Sequence, residues 1–178
     1  MKVLFIYAMK IIWFNPTEFV TGDKSIKINY PQHPHTDTII GCTSISIGNN
    51  KKWISMPLNL SQDISIEELI ICYRVTNAHS FISMIRLEGI REPGQNNILF
   101  KDDTPLNSTT SSTYVSNVSG ISVPASAVTL QFEINFQNTH DQILFGGIGI
   151  KIAQEAREQF INVKDYGAVG DGTDDTEA

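Results

Sequence analysis

Hydrophobic and polar residues alternate along much of the middle of this chain. In the clearest run, Val128 to Phe136, every second residue is apolar and the residues between are polar or charged. Runs around residues 26–30, 53–60 and 69–75 show the same period of two. Successive side chains of a strand point to opposite faces, so this period predicts strands with one buried and one solvated face. The predicted core includes Leu69, Ile71, Tyr73, Leu130, Phe132 and Ile134.

Turn-forming residues separate these runs at intervals of about ten residues, as in a sandwich of short strands. Examples are Pro93-Gly94 and the segments 48–50, 102–105 and 138–141. We predict an all-β fold, an antiparallel two-sheet sandwich of jelly-roll-like type, because a single sheet would leave one set of apolar faces exposed.

The pattern divides the chain into three parts. The sandwich is expected over residues 36–153, and residues 1–35 are expected as a lead-in. Residues 154–178 begin with helix-forming and charged residues, which predicts a linker or one short helix, and continue with the pattern of a strand, a glycine-rich turn and a helix start.

The apolar segment 3–14 resembles a short secretory signal, but Lys10 interrupts it and no A-x-A cleavage pattern follows. We expect an N-terminal strand or an unstructured lead-in here, with a cleaved signal as the alternative. The compartment is left open.

Two other segments depart from simple alternation. The last predicted strand contains Gly146, Gly147 and Gly149, and glycine inside a strand marks a bulge or a close approach of backbone. The segment 107–119 is rich in Ser, Thr and Asn. It predicts a solvated loop or an edge strand with short polar side chains, and a ligand-binding loop is the alternative.

The 178-residue chain carries 13 basic and 19 acidic residues, for a net charge of −6, and is 41% hydrophobic. Its length corresponds to about one domain. The acidic excess argues against nucleic acid and anionic membrane as partners, since both bind basic surfaces. No apolar run reaches the length of about 18 residues that a membrane-spanning helix needs.

Few residues are arranged as metal ligands. Cys42 and Cys72 are too few for a disulfide framework or an all-cysteine zinc site. A buried free thiol is expected, with a cross-sheet disulfide as the alternative. His33, His35 and Asp37 share one face of an extended segment, but the prolines around them indicate a mobile connection. We therefore predict no metal site and no cofactor.

No residues are spaced for catalysis. His79 and His140 lie in polar turns, and neither has a nucleophile or carboxylate at a diagnostic spacing. Four aspartates near the C-terminal end are expected in turn and helix-cap roles, since no scaffold there holds two carboxylates at the separation that glycoside hydrolysis needs. They are Asp165, Asp171, Asp174 and Asp175. The sequence predicts no catalytic residue.

Aromatic residues are the remaining candidates for ligand contact. One interpretation is a stacking platform for sugar rings, and the alternative is core packing, the usual role of aromatics in strands. The residues are Trp13, Trp53, Tyr73, Phe81 and Tyr114. Trp53 is the best candidate for exposure, because it lies on the side of its strand opposite the apolar residues.

A family resemblance rests on the segment 162–176, NVKDYGAVGDGTDDT. It resembles the opening motif of the pectate lyase superfamily, whose members are right-handed parallel β-helices such as polygalacturonase-like enzymes and phage tailspikes. The motif has one residue fewer between Gly172 and Asp174 than the family pattern. More weakly, ICYRV at 71–75 and SFISMIRL at 80–87 resemble sandwich modules that precede such β-helices.

The resemblance implies a truncated start of a parallel β-helix after the sandwich, with the downstream β-helix domain as a partner. It also implies a polysaccharide or glycan ligand and an extracellular or cell-surface setting. We therefore expect a non-catalytic module that caps the β-helix or binds carbohydrate. The alternatives are the inactive leading fragment of a polysaccharide lyase or glycoside hydrolase, and an attachment module of a tailspike- or adhesin-type protein.

Overall fold

The computed structural model describes residues 7–30, 38–45, 51–61, 64–92, 95–123 and 127–155. These residues form strands joined by turns, with a single 3₁₀ turn at Pro16–Glu18. The strands are β1 (Tyr7–Phe14), β2 (Ile26–Asn29), β3 (Thr38–Cys42), β4 (Lys51–Leu58), β5 (Ile64–Val75), β6 (Phe81–Glu92), β7 (Gln95–Asp102), β8 (Ser112–Ser122), β9 (Ala127–Asn135) and β10 (Gln142–Glu155).

The strands form two sheets. Sheet A has the order β2-β3-β10-β5-β8, with β1 also paired to β10, and sheet B has the order β4-β9-β6-β7. Every strand pair within the described ranges is antiparallel. The predicted all-β, jelly-roll-like sandwich of two antiparallel sheets is confirmed.

The core lies between the two sheets. All six residues predicted for it are buried, with exposed fractions of 9% or less, and they belong to one hydrophobic cluster. At its centre, Phe19, Phe132 and Phe145 pack ring against ring, with centroids 4.9 to 5.6 Å apart. Such tilted and edge-on pairs stabilise a core beyond the area they bury.

The sandwich begins before residue 36. Both β1 and β2 are strands of sheet A, and β1 pairs with β10 along its full length. The N-terminal strand expected within residues 3–14 is therefore present, and part of the predicted lead-in belongs to the sandwich. At the other end, β10 continues to Glu155, beyond the boundary predicted at residue 153.

The structure also describes the polar segment 107–119 and the glycine-containing strand, for which the sequence made local predictions. Most of the polar segment 107–119 belongs to β8, which pairs with β5 at one edge of sheet A, so the expected edge strand is present. A bulge interrupts β10 where Gly146 and Gly147 lie between two register positions, Phe145 opposite Tyr73 and Ile148 opposite Ile71. The bulge predicted from the glycines is confirmed.

No helix in the part of the chain that the structure describes is long and apolar enough to cross a membrane. The segments 31–37 and 156–178 lie outside the described residues. The predictions for His33, His35 and Asp37, and for the aspartates of segment 165–175, therefore concern residues without a structural description.

Candidate functional site

The outer face of sheet B carries a row of polar side chains beside a tryptophan. Alternation turns Trp53 and Ser55 of β4 away from the core, while Ile54 between them is buried. The register places Ser55 opposite Gln131 of β9, and Gln131 opposite Arg86 of β6. With Thr21 at the rim, these residues line a cavity of about 220 Å³, which we call the Trp53 groove.

Hydrogen bonds fix the polar side chains of the groove. The Arg86 guanidinium donates from Nε and Nη2 to Gln131 Oε1, at 2.9 and 2.5 Å. Gln131 Nε2 in turn donates to Glu88 Oε2 at 2.6 Å, and Glu88 Oε1 lies 3.7 Å from Arg86 Nη2. The guanidinium carbon sits 4.6 Å from the centroid of the Trp53 ring, in cation–π contact. Arg86 is therefore held in one position across the indole.

The rim of the groove is formed by the chain that follows the 3₁₀ turn. Val20 forms an isolated antiparallel bridge with Ser55, and Thr21 Oγ1 donates to the carbonyl oxygen of Trp53 at 3.0 Å. Beyond it, Asp23 lies 3.2 Å from Lys52 Nζ. Hydrogen bonds from Ser25, together with Lys52, hold the pKa of Asp23 below its ordinary value. This rim is thus fixed to β4 by backbone and side-chain contacts.

Other charges near this face occur in close pairs. Lys51 Nζ lies 2.9 Å from Glu133 Oε1, which also accepts from Ser83 Oγ at 2.7 Å. Lys101 Nζ, on the strand next to Arg86, lies 2.8 Å from Asp103 Oδ2. The face is therefore polar but locally neutral.

This arrangement suits a ligand with an apolar face and many hydroxyl groups. A pyranose ring has such a composition, since its C–H groups contact an aromatic ring while its hydroxyls both donate and accept. Arg86 Nη1 and the Ser55 hydroxyl make no hydrogen bond to any described residue and are therefore available to a ligand. Within the described ranges, no three His, Cys, Asp or Glu side chains are grouped to hold a metal ion.

The outer face of sheet A carries a different aromatic surface. Trp13 is 56% exposed, and its ring lies over Gly147 and Gly149, where an added Cβ would come within 3.1 Å of ring carbons. The expectation that Trp53 is the more exposed tryptophan is therefore wrong, because Arg86 covers one side of Trp53, which is half-buried. The glycines of β10 were the available signal for this surface, since they leave room for a ring above the sheet.

The other predicted platform aromatics do not join either surface. Tyr73 is buried in the core, and Tyr114 donates its hydroxyl to Asp102 at 2.8 Å. Phe81 is half-buried at the start of β6. His79 and His140 are both exposed in turns, as their polar neighbours in the sequence predict.

The two cysteines are free thiols on different sides of sheet A. Cys42 is buried in the core cluster, and its Sγ lies 2.8 Å from the carbonyl oxygen of Ser44. Cys72 is half-exposed, with Sγ 3.7 Å from Thr113 Oγ1. The first matches the expected buried thiol, whereas the second faces away from the core.

Comparisons with known proteins give structural neighbours only. No family model matches the chain, and no curated protein matches its sequence. A CBM36-1 domain of a multidomain xylanase from the hindgut metagenome of Trinervitermes trinervoides is 8% identical, with a TM-score of 0.48 over 79% of this chain and 96% of that one. A family 29 carbohydrate-binding module from Piromyces equi is 10% identical, with a TM-score of 0.46 over 92% and 99% of the two chains. The CBM22-1–GH10 modules of a Clostridium thermocellum xylanase, complexed with xylohexaose, are 7% identical, with a TM-score of 0.49 over 80% and 27%.

These findings correct the prediction drawn from the segment 162–176. The similar structures include several carbohydrate-binding modules with β-sandwich folds, not parallel β-helices. The strand pairs that the structure describes are all antiparallel. The assignment to the pectate lyase superfamily is therefore wrong. The truncated β-helix start and the downstream β-helix partner have no support, and the segment itself lies outside the described residues.

Proposed function

We propose that this chain is a glycan-binding β-sandwich module that holds its ligand in the Trp53 groove. The observation that carries the proposal is the position of Arg86 and Gln131, which line a cavity on the outer face of sheet B beside the Trp53 ring. The buried carboxylate of Glu88 accepts a hydrogen bond from Gln131 and helps to fix this arrangement. Binding sites that combine an aromatic surface with a few oriented polar groups gain contact area from the first and orientation from the second.

The groove supports binding rather than chemical conversion of the ligand. Apart from Arg86 Nη1 and the Ser55 hydroxyl, most of its polar side-chain groups already have hydrogen-bond partners. The two buried carboxylates of this face, Glu88 and Glu133, accept hydrogen bonds and pair with nearby cations. Side chains held in this way orient a ligand without the reorganisation that a long polar side chain otherwise undergoes on binding. The module is therefore proposed as non-catalytic.

The test compares the two tryptophans on opposite faces of the sandwich. Trp53→Ala and Trp13→Ala each remove one indole, and binding is measured by affinity electrophoresis and calorimetry against xylan, galactomannan, mixed-linkage β-glucan and polygalacturonate. Trp53→Ala should weaken binding by at least about tenfold, the usual effect of truncating a buried aromatic anchor. Trp13→Ala is the matched control and should change affinity by less than about twofold.

Two results would contradict the proposal. Wild-type protein that binds none of the four polysaccharides at millimolar concentrations of sugar units would remove the assigned function. Loss of binding in Trp13→Ala, with binding kept in Trp53→Ala, would move the ligand to the outer face of sheet A.

A second candidate function is attachment or assembly through protein contact. It is favoured by β1, which exposes Met9, Ile11 and Trp13 along the outer face of sheet A. Exposed apolar side chains that lie side by side are typical of interaction surfaces. Sedimentation equilibrium of wild type and Trp13→Ala tests this candidate, which requires self-association that the substitution weakens.

A further inference from the structure

We infer that the Trp53 groove selects uncharged saccharides over acidic ones, and that Glu88 is the residue that sets this selectivity. The inference rests on the proposed function. Among the described residues that line the groove, Arg86 is the only charged one. The inference follows from the way Glu88 offsets the positive charge of Arg86.

Glu88 is a buried acid beside the groove. Its residue is 3% exposed, it accepts a hydrogen bond from Gln131 at 2.6 Å, and it lies 3.7 Å from Arg86 Nη2. Burying an ion pair costs desolvation energy that the attraction between the charges does not reliably return. A buried glutamate at this position is therefore better explained by its effect on Arg86 than by a gain in stability.

Gln131 occupies one of the two edges of the Arg86 guanidinium that can hold a carboxylate. Strong arginine–carboxylate pairs are bidentate and use two adjacent N–H groups of the guanidinium fork. Nε and Nη2 both donate to Gln131 Oε1, which leaves Nη1 and the second N–H of Nη2 for a ligand. A sugar hydroxyl needs only one of these donors. A uronate carboxylate that used both Nη1 and Nη2 would place its negative charge beside Glu88, whose Oε1 lies 3.7 Å from Nη2.

Charge acts in the same direction. A uronate bound at Arg86 Nη1 would lie within several ångströms of the Glu88 carboxylate, and in a partly buried site this repulsion is weakly screened. The neighbouring cations Lys51 and Lys101 do not offset it, because each lies within 2.9 Å of an acidic group. The repulsion from Glu88 therefore offsets the attraction of a uronate to Arg86, and the cost of removing the uronate carboxylate from water is not repaid. An uncharged saccharide does not meet this cost.

The test is Glu88→Gln, measured as the ratio of affinities for polygalacturonate and for the neutral polysaccharide that wild type binds best. The substitution keeps an acceptor for Gln131 and removes the charge behind Arg86. Wild type should favour the neutral polymer, and Glu88→Gln should raise the acidic-to-neutral ratio by about tenfold, which corresponds to about 1.4 kcal/mol.

Glu68→Gln is the matched control. Glu68 accepts a hydrogen bond from Lys151 at 2.7 Å on the outer face of sheet A, so its substitution changes the net charge equally but away from the groove. The ratio should stay within about twofold of the wild-type value. A similar rise in both variants would assign the effect to net charge and overturn the role of Glu88.

The remaining outcomes separate the two proposals. If wild type binds polygalacturonate as well as it binds neutral polymers, or if Glu88→Gln leaves the ratio unchanged, the selectivity inference is overturned while the glycan-binding function stands. If wild type binds no polysaccharide, both fall. If Glu88→Gln does not fold, the salt dependence of wild-type binding is the test. The affinity for the neutral polymer should change by less than about twofold between 20 and 500 mM NaCl. A marked weakening of this affinity would overturn the inference.

Discussion

Asp102 joins the edge of sheet B to the edge of sheet A. It ends β7, and its Oδ2 accepts hydrogen bonds from two hydroxyls of β8, those of Tyr114 and Ser116. Its Oδ1 accepts from the backbone N–H of Thr104 at 2.9 Å. Partial burial raises the pKa of Asp102, but hydrogen bonds from Ser116, Thr104 and Tyr114 outweigh it and leave the pKa below its ordinary value of 3.8. We predict that this carboxylate is a main link between the two sheet edges.

The magnitude follows from what Asp102→Ala removes. The Ser116 hydroxyl would lose its partner at a position that is 2% exposed. A hydrogen bond to a charged group contributes about 1.5–3 kcal/mol, and leaving a buried polar group unsatisfied costs about 1–3 kcal/mol. Because water can reach part of this half-buried cluster, we expect a total loss of about 3 kcal/mol. Asp102→Asn keeps one carbonyl acceptor, and its amide can donate to the hydroxyl oxygens, so it should cost about 1 kcal/mol.

Urea unfolding followed by tryptophan fluorescence measures both variants. The loss should appear as a lower midpoint with an unchanged slope, since the surface exposed on unfolding stays the same. Asp103→Ala is the control, because Asp103 is exposed and its ion pair with Lys101 should contribute less than about 1 kcal/mol. If Asp102→Ala costs no more than Asp103→Ala, the carboxylate does not link the sheets and the reasoning is refuted.

Three further predictions concern acid, the glycine surface and the core. Because the pKa of Asp102 is lowered in the folded state, its stabilisation is present at pH values above the ordinary pKa of 3.8 and is lost as the pH falls through the folded-state pKa. The stability of Asp102→Asn should therefore depend less steeply on pH in acid unfolding. Gly149→Ala places a Cβ 3.1 Å from both the Trp13 ring and Ile70 Cβ, and should lower the unfolding free energy by about 1–3 kcal/mol in urea. Phe132→Leu breaks two ring contacts in the core and should lower the thermal midpoint, with a loss of about 1–2 kcal/mol by calorimetry.

The sequence predicted the parts of the fold that depend on local alternation. The run from Val128 to Phe136 shows its buried and solvated faces within nine residues, so strand and facing are both evident without knowledge of its partners. In contrast, β1 (Tyr7–Phe14) is apolar on both sides, with Ile12 packed against the core and Trp13 exposed. Its membership of the sandwich depends on pairing with β10, far away in sequence, which alternation alone does not reveal.

The candidate site was predictable only in part for a similar reason. The outward direction of Trp53 follows from its own strand, and the structure places it there. Arg86 and Gln131 reach it through the register of three strands, β4, β9 and β6, and a shift of one residue in any pair would turn one of them into the core. The sequence contains these residues but not the register that brings them together.

Each outer face of the sandwich carries a tryptophan, and their surroundings decide which face we assign to ligand binding. Trp13 lies on glycine backbone, with the apolar side chains of Met9 and Ile11 on the same strand. Next to them, Lys151 Nζ forms an ion pair with Glu68 Oε1 at 2.7 Å. This surface offers apolar area with few oriented hydrogen-bonding groups, so its contacts should be adhesive but unselective.

The surroundings of Trp53 offer less apolar area and more oriented hydrogen-bonding groups. Its ring is partly covered by Arg86, whose position is fixed through Gln131, so a ligand meets less aromatic area but a defined direction for each donor and acceptor. Apolar contact supplies affinity for many surfaces, whereas oriented polar groups discriminate between stereoisomers that differ in the direction of one hydroxyl. Glycan selectivity should therefore follow Gln131 more closely than the number of exposed aromatic rings. Gln131→Ala should narrow the difference in affinity between galactomannan and β-glucan, while Trp13→Ala should leave that difference unchanged, and the reverse result would assign recognition to sheet A.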